Sequence, residues 1–179
     1  MNDPVLAWHT EHEHFQRLLE LLQTQLALFH RGERPNYELM LDIIRYLREY
    51  GDAYHHPRED MAFTLLVARR PQLELPLARL RQEHRVIARA GERLEELLEE
   101  ALAGALIARV EVEVAAATYL VYYGNHIARE EESVLELARA ALTPQDWEAV
   151  RTAVAAPPDP GSGASPQLRY RELARHLAS

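Results

Sequence analysis

The stretch HHPREDMAF, residues 55–63, places two histidines, a proline and two acids inside a long apolar helical pattern. Each histidine has a carboxylate four residues further on, since His55 is followed by Glu59 and His56 by Asp60. Residues four apart lie on one face of an α-helix, about one turn from each other. The stretch therefore predicts two imidazole–carboxylate pairs on one helix, with the second pair rotated about 100° from the first.

Helical periodicity extends in both directions from this stretch and recurs in three further segments. The four segments run roughly from Val5 to Phe29, from Tyr37 to Ala68, from Leu77 to Leu102 and from Ile107 to Leu142. Glycine and proline mark the breaks between them, and no segment has the pattern of a β-strand. Four long helices with short connections predict an all-α, up-down-up-down four-helix bundle over residues 1–142.

The composition changes beyond the predicted bundle. Thr143, Pro144 and Asp146 have the order of an N-cap, a first helical residue and a first-turn acid, so residues 143–156 predict a short accessory helix. Proline, glycine and serine dominate residues 157–166, as is typical of a flexible linker. Residues 167–179 are expected to form a short C-terminal helix or tail.

Each predicted helix carries polar side chains within its inward-facing series of residues, which repeats in steps of three and four. The four series are Trp8, His12, Phe15, Leu19, Leu22, Leu26 and Phe29 in the first helix; Ile44, Leu47, Gly51, His55, Glu59, Ala62 and Leu66 in the second; Leu77, Leu80, His84, Ile87, Gly91, Leu94, Leu98 and Ala101 in the third; and Tyr119, Tyr123, His126, Glu130, Val134, Leu137 and Ala141 in the fourth. The imidazole and carboxylate members are His12, His55, Glu59, His84, His126 and Glu130. All six are therefore expected inside the bundle.

Six buried ionisable side chains favour a metal site over ordinary packing. A single histidine on an apolar face is usually a satisfied core residue, and an imidazole–carboxylate pair four residues apart is common on exposed helix faces. Burying all six without partners would cost several kcal/mol for each charge, whereas a domain is stable by only about 5–15 kcal/mol. Pairing among the six would offset part of this cost, and a bound cation would offset all of it.

The donor types and their number indicate which metal fits. The chain has no cysteine, which excludes thiolate ligands, and nitrogen with carboxylate donors suits iron, manganese or zinc. Six ligands exceed the four of a structural zinc site, so two metals fit better. If Glu59 and Glu130 each bridge, the protein supplies about eight of the roughly twelve bonds that two six-coordinate ions need. A shared oxo or hydroxo group would leave about two positions for a small ligand.

In their order along the chain, these motifs resemble those of the hemerythrin-like, or HHE cation-binding, domains. The motifs are EHEHF with His12, HHPRED with His55 and Glu59, QEHRVI with His84, and HIAREEE with His126 and Glu130. The resemblance covers about Val5 to Leu142. It implies a four-helix bundle with two iron ions bridged by both glutamates and an oxygen, in which His12 and His126 serve one iron and His55 and His84 the other.

The chain departs from the oxygen-carrying hemerythrins in two places. Ala88 stands where those proteins have a second histidine in the third helix, which would leave one iron more open or let His56 fill the position. The fourth helix has Glu130 four residues after His126 and Glu131 five residues after it, where the oxygen carriers have an aspartate. Four histidines and two glutamates are more similar to bacterial hemerythrin-like proteins that handle iron, nitric oxide or iron–sulfur repair. The cysteine-bearing domain of the repair proteins is absent from this sequence.

Three further residues are expected beside these ligands, each with an ordinary alternative. His56 and Asp60 form a supporting pair or a partly exposed pair at the edge of the site, with His56 also a candidate ligand. Tyr123 is a core residue or a hydroxyl donor near a bound ligand. Pro57 lacks the amide that would bond the carbonyl of Ala53, which predicts a helix kink.

The composition limits the functions that remain. A formal charge of −8 and an isoelectric point near 5.6 disfavour binding to nucleic acid or to a membrane surface, and no apolar run is long enough to span a bilayer. Because the N-terminus lacks a secretory pattern, the expected location is the cytoplasm. The expected function is binding or sensing a small ligand such as oxygen, nitric oxide or peroxide, or handling iron. The alternatives are an oxidoreductase acting on nitric oxide or peroxide, a metal-stabilised protein-interaction module that docks through the tail after Pro157, and a zinc or manganese site in place of iron.

Overall fold

The chain folds almost entirely into helices. A computed structural model describes residues 3–155 and 170–177, and these ranges contain no β-strand. The elements, in chain order, are α1 (Pro4–His30), α2 (Tyr37–Tyr46), the π-helical segment π1 (Leu47–His55), α3 (His56–Arg69), a 3₁₀ turn (Pro71–Leu73), α4 (Glu74–Leu102), α5 (Arg109–Arg129), the π-helical segment π2 (Glu130–Val134), α6 (Leu135–Ala141), α7 (Pro144–Thr152) and α8 (Arg171–Leu177). Because α2, π1 and α3 are continuous, as are α5, π2 and α6, there are four long helices, and they pack as the predicted all-α, up-down-up-down bundle. None of the described helices is both long and apolar enough to cross a membrane.

Local signals at the helix ends set the bounds of the long helices. Asp3 accepts a hydrogen bond from the backbone N–H of Val5 (3.0 Å), and Pro4 occupies the first turn of α1. Gly32 and Gly104 have φ angles of 80° and 84° just after α1 and α4 end, a left-handed conformation that glycine adopts without a steric penalty. These residues allow the chain to turn sharply, so the connections between long helices stay short.

A polar layer divides the hydrophobic core into two clusters. The larger cluster includes Phe15, Leu47, Ile87 and Tyr123, and the smaller cluster includes Trp8, Phe63, Leu80 and Val134. On α1, His12 lies between Trp8 and Phe15, and each of the other long helices also changes cluster beside a residue predicted as a ligand. The predicted ligands therefore share one depth in the bundle, with apolar packing on both sides.

The segments π1 and π2 lie on the two helices that carry histidine–glutamate pairs. After each segment an N–H bonds the carbonyl five residues back rather than four, from His56 to Gly51 and from Leu135 to Glu130. Pro57 follows π1 and occupies the first turn of α3, where a missing N–H is tolerated. The helix thus accommodates the proline through a π-helical segment next to the HHPRED motif.

The extra residue in π2 changes which side chains of the fourth helix face inward. Leu137, predicted in the core, is 42% exposed, whereas Leu135, Ala138 and Leu142 are buried. A π-helical turn holds more residues than an α-helical turn, so the buried face beyond π2 shifts by one position. The prediction for Leu137 is wrong because it assumed an uninterrupted α-helix.

Two short helices pack against the bundle. Trp147 of α7 contacts Trp8 edge to face, with ring centroids 5.3 Å apart. Tyr170 and Leu173 are buried where α8 packs against α2, and the backbone N–H of Leu173 donates to the carboxylate of Asp42 (3.3 Å). The predicted linker, residues 157–166, lies outside the described residues.

Candidate metal centre

The six residues predicted as ligands meet in the polar layer of the bundle. One histidine comes from α1, one from α4, and a histidine–glutamate pair comes from each of the other two long helices. All six are at most 6% exposed: His12, His55, Glu59, His84, His126 and Glu130. The structure therefore brings their side chains together away from bulk solvent.

His12 and His55 form the first of two imidazole pairs. Their Nε2 atoms face each other at 2.9 Å, and the rings meet edge to face with centroids 4.8 Å apart. On the opposite side of each ring, Nδ1 contacts a carboxylate: Glu131 at 2.6 Å from His12, and Glu11 at 2.5 Å from His55. Glu11 also accepts a hydrogen bond from the buried guanidinium of Arg58 (2.5 Å), which fixes its orientation.

His84 and His126 form the second imidazole pair, with the same geometry. Their Nε2 atoms are 3.0 Å apart, and the ring centroids are 4.5 Å apart. Nδ1 of His84 contacts Asp60 at 3.0 Å, and Nδ1 of His126 contacts Glu83 at 3.3 Å. Glu83 is in turn paired with Arg129.

The shared pattern defines the role of each ring nitrogen. A carboxylate accepts a hydrogen bond, so it selects the form in which Nδ1 carries a proton. Nε2 then points into the layer as the nitrogen available to a metal. Histidines that bind metals in proteins usually have such a carboxylate on the other nitrogen, which orients the ring and raises its basicity. The four rings are therefore arranged to present four Nε2 atoms to one interior space.

Glu59 connects the two imidazole pairs. Its Oε1 lies 2.9 Å from Nε2 of His55 and 3.4 Å from Nε2 of His12. Its Oε2 lies 3.4 Å from Nε2 of His84, in the other pair. The two oxygens of this carboxylate thus lie beside different imidazole pairs, as a bridging ligand requires.

Glu130 also spans both pairs. Its Oε2 lies 3.2 Å from Nε2 of His126 and 3.5 Å from Nε2 of His12, and its Oε1 lies 3.9 Å from Nε2 of His84. Despite these short distances, no oxygen of Glu130 or Glu59 accepts a well-oriented hydrogen bond from any residue that the structure describes. Buried carboxylate oxygens without donors are costly, so these four atoms need positive charge beside them, from imidazolium rings or from a cation.

Without a metal, the neighbouring carboxylates keep the imidazoles protonated. Burial lowers the pKa of His12, but the carboxylates around it more than offset this and raise the pKa to about 10. Carboxylates likewise outweigh burial at His84 and His126, whose pKa values rise to about 11 and about 9. Burial would raise the pKa of Glu59, but the surrounding imidazoles hold it well below its usual range. A metal ion that binds here must therefore displace protons from the imidazoles.

The donor set and its spacing fit metal ions. Two groups of ligand atoms lie within 4.8 Å of one another: His12, His55 and Glu59 in one group, and His56, Glu59, His84 and His126 in the other. Because Glu59 belongs to both groups, one carboxylate can serve two ions. Imidazole and carboxylate donors suit iron, manganese or zinc, and a cation would satisfy the oxygens that lack hydrogen-bond donors.

The grouping differs from the division of ligands that the resemblance implies. The expected partners are His12 with His126 and His55 with His84, whereas the structure pairs His12 with His55 and His84 with His126. The helix of His84 packs most extensively against the helix of His126, so these two rings approach each other directly. The sequence pattern predicts the depth of each residue but not which helices are neighbours. Glu130 Oε2 lies within 3.5 Å of Nε2 of both His12 and His126, so the implied division of ligands between two ions stays a prediction.

His56, Asp60 and Tyr123 lie beside the polar layer, but His56 and Asp60 are not partners. Asp60 contacts His84 on α4, while Nδ1 of His56 lies 3.3 Å from the carboxylate of Asp52, one turn before it. The predicted pairing is wrong because His56 points into the bundle and Asp60 lies at the partly exposed edge that faces α4. The ring of Tyr123 has its centroid 5.4 Å from that of His56.

Sequence reasoning missed the carboxylates that contact the Nδ1 atoms. Glu11 and Glu83 each directly precede a predicted ligand, yet each supports a histidine of a different helix, His55 and His126 respectively. Glu131 directly follows a predicted ligand and supports a histidine of α1. The available signal was an acid adjacent to a ligand in the motifs EHEH, QEH and HIAREEE.

Two tyrosines and an aspartate place further polar atoms beside the layer. The hydroxyls of Tyr119 and Tyr123 and both oxygens of Asp52 are buried without a hydrogen-bond partner among the described residues. Two glycines make room for the rings, since a Cβ at Gly51 would collide with the hydroxyl of Tyr123, and one at Gly91 would lie 2.9 Å from Cε2 of Tyr119. Burial raises the pKa of both hydroxyls well above the usual range, so they stay protonated.

Comparison with known protein families confirms the resemblance seen in the motifs. The family model described as "Hemerythrin HHE cation binding domain" matches residues 3–138, a range that includes all six predicted ligands. Comparison with curated proteins finds no match, and neither does comparison with solved structures.

Proposed function

Because the chain belongs to the hemerythrin HHE cation-binding domain family, we propose that it is a non-haem di-iron protein that binds or senses a small ligand, or that handles iron. The small ligand would be oxygen, nitric oxide or peroxide. The residues that would hold the two ions are His12, His55, Glu59, His84, His126 and Glu130. Glu59 and Glu130 would bridge, since each reaches both imidazole pairs.

The main support is the orientation of the four imidazole rings. Every ring turns Nδ1 towards an outer carboxylate and Nε2 towards the same interior space. In an ordinary buried histidine, each ring nitrogen has its own hydrogen-bond partner. Here the two Nε2 atoms of each pair face each other instead. The layer is therefore built for cations rather than for packing.

Iron fits the number of donors better than zinc does. Two tetrahedral zinc ions would be saturated by the protein, because six ligands with two bridges make about eight bonds. Two six-coordinate irons would retain positions that the protein does not fill. When bound, iron would supply a redox-active Lewis acid at which oxygen, nitric oxide or peroxide can bind.

The chain's own residues would restrict what reaches the centre. Trp8 and Phe15 lie against His55, with ring centroids 6.0 Å and 5.2 Å from its ring, and Phe63 stacks against His84 at 5.9 Å. These rings would keep water from the two histidines that they cover and give the layer apolar walls there. A diatomic molecule or peroxide suits such surroundings better than a large or charged substrate does.

Iron loading tests the assignment. The protein would be loaded anaerobically with ferrous iron, oxidised, passed through a desalting column, and assayed by elemental analysis and absorption spectroscopy. We expect about two irons per chain and a near-ultraviolet band from the ferric pair. His84→Ala should lose iron, while His14→Ala, which removes an imidazole outside the layer, should retain it. Zinc-only binding, or no binding, would refute a di-iron centre.

Turnover of nitric oxide or peroxide is the second candidate function. It is favoured by the buried hydroxyls of Tyr119 and Tyr123, which stay protonated beside the layer. Consumption of either substrate by the iron-loaded protein, lost in His84→Ala, would establish an oxidoreductase; a stable spectral change without consumption would indicate binding or sensing.

The described part of the tail packs onto its own bundle through Leu173, which gives no support to a free docking element.

A further inference from the structure

His56 is a fifth histidine in the polar layer, and it is as buried as the six predicted ligands. It is 3% exposed, and it directly follows His55 at the start of α3. Its ring stacks on that of His84, with centroids 4.3 Å apart and planes 9° apart, and meets the ring of His126 edge to face at 5.4 Å. His56 therefore stands at the second imidazole pair.

Like the other four histidines of the layer, His56 has a carboxylate near Nδ1. Nδ1 lies 3.3 Å from an oxygen of Asp52. Asp52 is largely buried, and neither of its oxygens has a hydrogen-bond partner among the described residues. The N–H at Nδ1 of His56 can therefore donate a hydrogen bond to the Asp52 carboxylate when a metal holds the imidazole ring in place. With Nδ1 directed at Asp52, Nε2 is the nitrogen left for the layer.

The position of His56 also meets the distance requirement for a shared ion. One of its ring nitrogens lies within 4.8 Å of ligand atoms of Glu59, His84 and His126, all of which lie within that distance of one another. The group around His12 and His55 has no counterpart of His56 among the described residues. The two halves of the layer therefore offer unequal numbers of nitrogen donors.

We propose that His56 is a third imidazole ligand for the metal held by His84 and His126, and that Asp52 is the carboxylate that positions it. This inference rests on the proposed metal-binding function. The ion on the His56 side would have three imidazoles and the two bridging glutamates, while the ion on the other side would have two imidazoles and the same bridges. The two ions then differ in how tightly the protein holds them.

Four variants test this assignment. His56→Ala removes the ring, His56→Gln keeps much of its volume without an imidazole, Asp52→Asn changes the supporting carboxylate, and His14→Ala is a matched control that removes a half-buried imidazole packed on Tyr46. Each protein would be loaded with iron-57 and challenged with a chelator. Iron per chain, the rate of iron loss and the Mössbauer spectrum would be recorded, with circular dichroism as a check of folding.

The wild type should show two iron environments in equal amounts. In His56→Ala and His56→Gln, the spectrum of one environment should change, and one iron per chain should be lost about ten-fold to hundred-fold faster. Asp52→Asn should shift the same environment by a smaller amount. Free imidazole added to His56→Ala should slow the loss again by occupying the space of the missing ring. His14→Ala should match the wild type.

Three results would overturn the assignment. The first is wild-type spectra and chelator resistance in His56→Ala. The second is iron loss in His56→Ala but not in His56→Gln, which would mean that the ring only fills space. The third is equal loss of both irons without rescue by imidazole. If the wild type itself binds no iron, the proposed di-iron function fails first, so the two failures are distinguishable.

Discussion

The Nε2 atoms of His84 and His126 lie 3.0 Å apart in the interior of the bundle. Their Nδ1 atoms face Asp60 and Glu83, so neither ring can turn Nε2 elsewhere without losing a carboxylate contact. Two lone pairs at this separation repel, so the space between them requires a proton or a cation. The other imidazole pair has the same geometry at 2.9 Å. Protons and metal ions therefore compete for the same positions.

This competition predicts that the stability of the metal-free protein falls as pH rises. The pKa values of His12, His84 and His126 are raised from 6.5 to about 10, 11 and 9. A histidine whose pKa is raised by folding contributes its full stabilisation below its unfolded pKa and loses it as pH rises through the folded pKa. The free energy of unfolding in denaturant should therefore decrease between about pH 6.5 and pH 11. A metal-free protein that becomes more stable over this range would contradict the charge arrangement.

Metal affinity should have the opposite pH dependence. Each imidazole that binds iron must first release its proton, so affinity rises with pH and binding releases protons. Calorimetric titration with ferrous iron, run at one pH in two buffers of different ionisation enthalpy, measures the number released. We expect at least one proton per iron at pH 7, because the pKa values of three imidazoles lie above it. Equal heats in both buffers would mean that the imidazoles bind no metal.

Glu59→Ala should remove metal binding and also weaken the metal-free fold. The carboxylate contacts imidazoles of both pairs, so its loss deprives both ions of a ligand. Iron content should fall below one per chain. Without metal, the loss of a buried partner of several imidazoles should cost about 3–5 kcal/mol in the free energy of unfolding. Glu100→Ala, on the exposed face of α4, should change neither quantity. Full iron loading of Glu59→Ala would exclude a bridging role.

Two adjacent glutamates provide a matched pair for the supporting carboxylates. Glu131 contacts Nδ1 of His12 at 2.6 Å, whereas Glu132 is exposed. Glu131→Gln removes the charge that orients the ring and raises its basicity, so iron affinity should fall about ten-fold to hundred-fold. Glu132→Gln carries the same chemical change and should bind iron as the wild type does. Competition with a coloured chelator measures both, and equal affinities would show that the contact at Nδ1 is unimportant.

Gly51 and Gly124 provide a second matched pair, for packing. A Cβ at Gly51 would collide with the hydroxyl of Tyr123, whereas a Cβ at Gly124 has nothing within 4 Å. Gly51→Ala should therefore destabilise the protein by about 1–3 kcal/mol, since the ring must move within a packed core. Gly124→Ala should be neutral or stabilising by up to about 1 kcal/mol, because alanine favours helix over glycine. Thermal and denaturant unfolding measure both, and a stabilising Gly51→Ala would place the tyrosine elsewhere.

Removal of the Tyr123 hydroxyl should not destabilise the metal-free protein. The hydroxyl is buried and has no hydrogen-bond partner among the described residues, so it contributes a desolvation cost without a bond. Tyr123→Phe should leave the free energy of unfolding unchanged or raise it by about 1 kcal/mol. Tyr122→Phe, at an exposed position of the same helix, is the control. A clear loss of stability in Tyr123→Phe alone would reveal a partner for the hydroxyl.

The sequence was sufficient for the four helices and for the depth of the six ionisable residues, because both follow from apolar periodicity. It did not predict the π-helical segments, although a signal was present. The steps from Leu47 to Gly51, His55 and Glu59 are each four residues, and three such steps would drift about 120° around a regular α-helix. All four residues are nevertheless buried, which requires a wider turn, and π1 provides it.

Apolar periodicity along the sequence did not predict the contacts between side chains of different helices. Glu11 and Glu83 lie next to ligands in the sequence but support histidines of other helices, because a glutamate at the edge of a helix reaches across to its neighbour. The pairing of His12 with His55 likewise depends on which helices are adjacent. Such relationships follow from the arrangement of the helices in space, which spacing along a single helix does not determine.

The polar layer also bears on how the bundle unfolds. It separates the apolar cluster around Trp8 and Val134 from the larger one around Phe15 and Ile87, so few apolar contacts connect the two halves across it. Ions that join side chains from all four long helices would make both halves open together. Without them, the smaller half is free to open on its own, and amide hydrogen exchange there would report the occupancy of the layer.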